Sequence, residues 1–209
     1  MLSVLFGEQF DIFRQILNFY KPNYSKVLDL TYGKGTLWKS KAKQEYILTT
    51  VDIDPNTNAQ FHCDFNNLPV EITSCKYDII VYDPPYKYHS QSFILHDRKS
   101  EMWKNNTQRT VWTLDEQINN AKNLNKTLPE ILNDDGIFIV KIMDTREKGQ
   151  LILNHILLIQ ELSNFVLKDI LIYVKLGIGI FSNDKTPQTA HGFFLIFKKP
   201  QKEGAKNEK

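Results

Sequence analysis

Cysteine is scarce in this chain, with only Cys63 and Cys75 present. Two thiols are too few for a disulfide framework or a metal knuckle, so no metal site is expected. A chain without disulfides is expected in a reducing, cytoplasmic setting. No run of roughly 18 apolar residues occurs, so neither a transmembrane helix nor a membrane partner is expected. The opening Met1-Leu2-Ser3-Val4-Leu5-Phe6 lacks a basic region and a small-residue cleavage site. No signal peptide is therefore expected. Charge of one sign is scarce too, with 26 basic against 24 acidic residues and a net charge of +2. So even a balance does not announce a nucleic-acid partner, and any such reading rests on where the charges lie.

What is present fits one α/β domain with a full-sized core. The chain has 209 residues, of which 42% are hydrophobic. Phe10, Phe13, Ile16, Leu17 and Tyr20 recur at helical spacing over residues 8–20, ahead of Pro22. Strand-like runs follow at Lys26–Leu30, Tyr46–Ile53, a short stretch before Cys63, Tyr77–Tyr82, Gly136–Ile142, Asp169–Leu176 and Gly192–Lys198. Thr113 and Glu116 form a capping-box pattern opening a helix from 114 to about 132, with Pro129 inside it. Apolar residues on one face predict a second long helix over 147–164. This alternation argues a Rossmann-like, doubly wound, mainly parallel sheet of seven strands. The last two runs have no helix between them, so an antiparallel hairpin at the sheet edge is expected. The domain spans residues 1–200, and the polar tail 201–209 is expected to be disordered.

Ligands of doubly wound sheets sit beyond the carboxyl ends of the strands. The first core strand ends in Asp29-Leu30-Thr31-Tyr32-Gly33-Lys34-Gly35-Thr36. Gly33 and Gly35 allow a tight turn and close approach to a ligand. The third glycine of the dinucleotide fingerprint is absent, and a plain strand-to-helix turn accounts for Gly-x-Gly as well. Asp52, at the end of the next strand, suits two ribose hydroxyls, with Asp54 capping the next helix. Asp64, followed by Phe65, stands where an adenine amino group would find an acceptor.

Asp83-Pro84-Pro85-Tyr86 directly follows a buried strand. Proline fixes φ and removes a donor, leaving carbonyl acceptors. A carboxylate, a proline carbonyl and an adjacent ring form a site for a flat group bearing NH2. Accepting both N–H bonds would draw that nitrogen toward sp3 and free its lone pair. Orientation and electrostatics carry such a step without a metal. A rigid turn leaving the sheet is the plainer explanation for these four residues in isolation.

With these motifs in this order, residues 24–199 resemble the amino-methyltransferase branch of class I S-adenosylmethionine-dependent methyltransferases. The likeness is in particular to enzymes of the DNA adenine N6 type. Asp29–Thr36 matches the family's glycine turn, with Thr31 where Phe is usual, a departure that bears on one cofactor packing contact. Asp83–Tyr86 matches its catalytic D-P-P-Y. The resemblance implies S-adenosylmethionine as cofactor. It places Asp29, Gly33 and Gly35 toward the methionine part, Asp52 on the ribose, Ile53 against the adenine and Asp64 on its amino group, with Thr31 and Phe65 also among the cofactor-binding residues. It also implies methyl transfer to adenine N6, in DNA rather than RNA, with Tyr86 stacked on a base that has left the duplex. The alternatives are the same chemistry on an RNA base and a non-catalytic methyltransferase-like subunit. No separate recognition domain is expected, which implies loose specificity, specificity from the two long loops, or help from a second subunit.

The loop from Tyr86 to Trp112 interleaves Lys87, Arg98, Lys99, Lys104 and Arg109 with Tyr88, His89, Phe93, Trp103 and Trp112. Phosphate-binding cations among stacking rings suit unstacked nucleic acid. A surface loop whose rings fold back onto the core fits equally well. Lys141 could reach the pocket, although a strand-end lysine more often extends to solvent. His155 is read as a core or edge residue, and His191 as a packing residue. Cys63 and Cys75 are read as half-buried free thiols.

Overall fold

The computed structural model describes residues 1–21, 25–39, 45–85, 87–88, 111–147, 150–174 and 191–201. The tail from 202, Tyr86 and most of the two long loops lie outside the described residues. The strands are β1 (Val4–Phe6), β2 (Lys26–Asp29), β3 (Ile47–Asp52), β4 (Phe61–His62), β5 (Tyr77–Tyr82) and β6 (Lys87–Tyr88). They continue with β7 (Val111–Trp112), β8 (Leu132–Ile142), β9 (Thr145–Glu147), β10 (Gln150–Ile152), β11 (Val166–Val174) and β12 (His191–Lys198). Among the described residues, the α-helices are α1 (Gln9–Tyr20), α2 (Val70–Thr73), α3 (Leu114–Ile131) and α4 (Asn154–Glu161).

Eight strands form the main sheet in the order β1-β11-β12-β8-β5-β2-β3-β4. Every neighbouring pair is parallel except the two that β12 makes, with β11 and with β8. The doubly wound reading and the antiparallel last pair therefore hold. The eighth strand is β1, which runs parallel to β11 and moves the hairpin one place in from the edge. Three residues preceding a helix carry too little periodicity to be read as a strand.

Two apolar layers sandwich the sheet. On one face Ile12, Phe13, Ile16 and Leu17 of α1 pack with Trp38, Val27, Val81, Ile139 and Phe194. On the other, Ala121, Leu124 and Leu128 of α3 and Leu158 of α4 cover Leu28, Ile80, Tyr82, Phe138 and Val140. Alternation along each strand divides its residues between these layers. The capping box of α3 forms as read: the Thr113 hydroxyl accepts from the Glu116 N–H, and Glu116 accepts from the Thr113 N–H at 2.8 Å. Pro129 falls in the last turn.

The helix expected over 147–164 is shorter. Residues 145–152 form the antiparallel β9–β10 pair, and α4 begins only at Asn154. Asn154 donates to the Met143 carbonyl at 2.7 Å and to the Thr145 hydroxyl at 3.1 Å. Asp144 accepts from the His155 N–H and from its Nδ1. This cluster satisfies the first turn of the helix from outside and sets its start. His155 stacks on Phe193 at 4.2 Å, in keeping with its reading as an edge residue. No helix follows Asp54 before β4, so Asp54 caps a turn instead, accepting from the Asn56 N–H at 2.9 Å. Cys75 is exposed and only Cys63 is half-buried. Among the described residues, no helix is long and apolar enough to cross a membrane.

Candidate active site

The chain reverses across the sheet at β2, with β3 and β4 on one side and β5 and β8 on the other. Such a switch point opens a crevice beyond the strand ends. The glycine turn leaves β2 here, and Asp83-Pro84-Pro85 leaves β5 beside it.

The turn is held from several directions. Gly33 and Gly35 adopt φ of 55° and 65°, in the left-handed region. A Cβ on Gly35 would lie 2.6 Å from the Tyr32 hydroxyl oxygen, so the buried tyrosine ring requires glycine there. Among the described residues, a Cβ on Gly33 would meet only the Thr31 carbonyl oxygen at 4.0 Å, which leaves them room for a ligand on this side of the turn. The Gly33 N–H donates to Asp52 at 2.6 Å, linking the turn to the end of β3.

Asp29 lies under the turn and is only 2% exposed. It accepts from the Thr31 N–H at 3.0 Å and from the Trp38 indole at 2.6 Å. Trp38 in turn meets Phe13 of α1 edge to face at 5.2 Å. Burial pushes the Asp29 carboxyl up to about 7, against the lowering effect of the Trp38 and Thr31 hydrogen bonds. The nearby Asp83 and Asp52 carboxylates add to the rise. Asp29 therefore shapes the turn from below.

The other strand-end carboxylates are more open. Asp52 also accepts from the Asp54 N–H at 2.8 Å, and Asp64 accepts from the Asn66 N–H at 2.8 Å. Asp29, Asp52 and Asp64 thus share one local device, an acceptor for the backbone two residues on. Each carboxylate oxygen has a further lone pair, so Asp52 and Asp64 keep acceptor capacity. Ile53 is 50% exposed beside them. Phe65 is buried and meets Tyr82 edge to face at 5.4 Å. Asn66 bonds Asn120 of α3, which joins the turn after β4 to that helix. The open face of Gly33, two strand-end carboxylates and an exposed isoleucine suit a ligand with polar and flat apolar parts.

Asp83 is held at both ends. Its N–H donates to the Thr31 hydroxyl at 2.7 Å. Its carboxylate accepts from Lys141 at 2.9 and 3.0 Å. Lys141 is 3% exposed and Asp83 22%. Of the two readings of Lys141, the structure takes the pocket and not the solvent. The clue was available: Lys141 continues the alternation of Ile137 and Ile139 within a strand buried on both faces. Pro84 is buried and Pro85 half-buried.

Tyr86, Arg98, Lys99, Lys104 and Arg109 lie outside the described residues, as do the Lys87 and Tyr88 side chains. The backbone of Lys87–Tyr88 pairs in parallel with Val111–Trp112. His191 opens β12 and packs edge to face on Phe193 at 5.3 Å.

No curated protein matches the chain in sequence. The fold is shared with TrmN from Thermus thermophilus at a TM-score of 0.54 and 12% identity, covering 90% of this chain. The chain spans only 48% of that structure's length. An S-adenosylmethionine-dependent methyltransferase from Clostridium acetobutylicum ATCC 824 aligns over 92% of both chains, at a TM-score of 0.52 and 13% identity. An rRNA methylase from Streptococcus thermophilus aligns over 92% of this chain and 97% of its own, at 0.51 and 10% identity. The DNA methylase family N6_N4_Mtase matches residues 77–209, more than half of the chain, beginning at β5 and including Asp83–Tyr86 and Lys141. On that match and this fold, the chain belongs to the DNA methylase family and is a class I S-adenosylmethionine-dependent methyltransferase.

Proposed function

We propose that the protein transfers a methyl group from S-adenosylmethionine to the exocyclic N6 amine of adenine in DNA. The carrying observation is Asp83-Pro84-Pro85 at the C-terminal end of β5, joined to the glycine turn through Thr31 at 2.7 Å. That contact brings an acceptor for an amine next to the turn expected to hold the cofactor. The family match, described as DNA methylase, supports DNA as the substrate.

When bound, the cofactor supplies a sulfonium methyl as the electrophile. The open backbone at Gly33 and Gly35 would receive its methionine part, with Asp29 and Thr31 shaping that turn. Asp52 would accept from the ribose hydroxyls, and Asp64 from the adenine amino group, with Ile53 and Phe65 flanking the ring. Asp83 would accept one N–H of the target amine and the Pro84 carbonyl the other. Asp83 is already held by Thr31 and Lys141, so little reorganisation of that acceptor would accompany the reaction. Pro85 keeps the turn rigid, and Tyr86 would stack on the displaced base. Lys87, Tyr88, Arg98, Lys99, Lys104 and Arg109 would meet phosphates and unstacked bases. A second subunit would be the source of any sequence recognition beyond these loops.

The test is transfer of labelled methyl to DNA and, separately, to RNA, followed by digestion to nucleosides and mass spectrometry. The expected product is N6-methyldeoxyadenosine, absent with Asp83→Ala. N6-methyladenosine from RNA alone would replace DNA as the substrate. Cofactor binding with no transfer to either would overturn the enzymatic reading.

A further inference from the structure

We propose that Lys141 is a positioning residue for methyl transfer, its ammonium fixing the Asp83 carboxylate in the orientation that receives the target amine. The inference rests on the base-methylation reading and adds the group that holds its central acceptor.

The register of the sheet creates the pair. Tyr82 lies beside Val140 in the parallel β5–β8 ladder, so the next residues, Asp83 and Lys141, are neighbours at the strand ends. Alternation sends Ile137 and Ile139 into the α1-side layer, together with Val81 and Phe194. Lys141 follows them in the same sense, 3% exposed, with its ammonium 5.9 Å from the centroid of the Tyr173 ring. Burying an ammonium is expensive, and an apolar residue of similar volume often stabilises a core as well as an ion pair does. A lysine at this position is therefore poorly explained by stability alone.

Orienting Asp83 does not mask it. A carboxylate offers about four acceptor sites. Lys141 uses one on each oxygen, and Asp83 keeps 22% of its side-chain surface open. Acceptor directions remain for an amine. The Asp83 main chain is fixed from the β2 side by Thr31 and its side chain from the β8 side by Lys141. The ammonium also offsets part of the carboxylate's charge, so its contribution is geometric: it selects one rotamer of Asp83. Misplacing a reacting group by roughly 1 Å can cost about 100-fold in rate.

The test compares the full chain with Lys141→Met and Lys141→Ala. It measures kcat for methyl transfer, KM for S-adenosylmethionine, and calorimetric affinity for S-adenosylhomocysteine. The expected result is a kcat lower by about 100-fold in K141M, with KM and affinity within about threefold of wild type. Added ethylammonium should restore K141A in a saturable manner and leave Asp83→Ala inactive. A K141M kcat within about threefold of wild type overturns the inference and leaves the proposed function standing. So does loss of kcat and cofactor affinity together without amine rescue, which marks a purely structural role. A wild-type protein that binds S-adenosylhomocysteine but methylates neither DNA nor RNA fails at the proposed function itself, and this inference falls with it. Should K141M and K141A not fold, Lys141→Arg keeps the charge and moves the donor. It should fold with depressed kcat, and wild-type kcat in that variant overturns the inference.

Discussion

The main-chain N–H of Asp83 donates to the side-chain hydroxyl of Thr31 at 2.7 Å, joining the end of β5 to the turn that leaves β2. Thr31→Val keeps the shape and removes the acceptor. Leaving a part-buried N–H unpaired costs roughly 1–3 kcal/mol. The expected outcome is a lower unfolding midpoint and a lower kcat, with affinity for S-adenosylhomocysteine little changed. Thr31→Ser should stay near wild type in both. Equal losses in the valine and serine variants would mean that the hydroxyl is not the working group.

Asp83 and Lys141 also stabilise one another. Asp83→Ala removes the carboxylate that pairs with a buried ammonium, a change that costs up to about 3–5 kcal/mol. Urea unfolding should register that loss, and the double variant Asp83→Ala/Lys141→Met should recover most of it while remaining inactive. Additive losses in the double variant would show that the pair is not coupled.

Asp29 makes stability depend on pH. Its folded carboxyl titrates at about 7 against an ordinary 3.8, because it is buried. The folded state therefore holds a proton that the unfolded state has released between these values. Stability falls as pH rises through that window and levels off above about 7. Between pH 5 and 8 this amounts to roughly 2–3 kcal/mol. Unfolding of the wild type at both pH values should show the decline, and Asp29→Asn should flatten it. A parallel decline in the variant would assign it to another group.

Asp52 serves two roles at once. It accepts from Gly33 and Asp54 within the protein and is expected to accept from the cofactor ribose. Asp52→Ala should weaken S-adenosylhomocysteine binding by roughly 1–3 kcal/mol by calorimetry. Unchanged affinity would place the ribose elsewhere.

The two turn glycines should respond differently to alanine. Both variants lose about 1–2 kcal/mol for a left-handed residue with a Cβ. Gly35→Ala also collides with the Tyr32 ring, at 2.6 Å from its oxygen, so it should be the less stable variant by thermal unfolding. Among the described residues, the methyl of Gly33→Ala would meet only the Thr31 carbonyl oxygen, so this variant should lose more cofactor affinity than stability. The reverse order would mean that the ligand does not approach Gly33.

Local pattern made much of this protein legible in the sequence. Short β-rich apolar runs marked the core strands, the Thr113–Glu116 capping box marked the start of α3, and Gly33 and Gly35 marked a turn. Each is written within a few residues, because dihedral preference and local hydrogen bonding act over that range. Tertiary structure decided the rest. Strand register brought Lys141 to Asp83 across 58 positions and Thr31 to Asp83 across 52. Trp38 reaches Asp29 across nine positions with Phe13 of α1 packed against it, which gives the buried carboxyl a support that no local pattern announces. Asn154 and Asp144 shortened a helix whose apolar spacing runs on unbroken. β1 joined the sheet through backbone hydrogen bonds that its three side chains do not encode. Spacing in a sequence reports which faces are apolar, whereas partners distant in the chain are chosen by the packing of those faces.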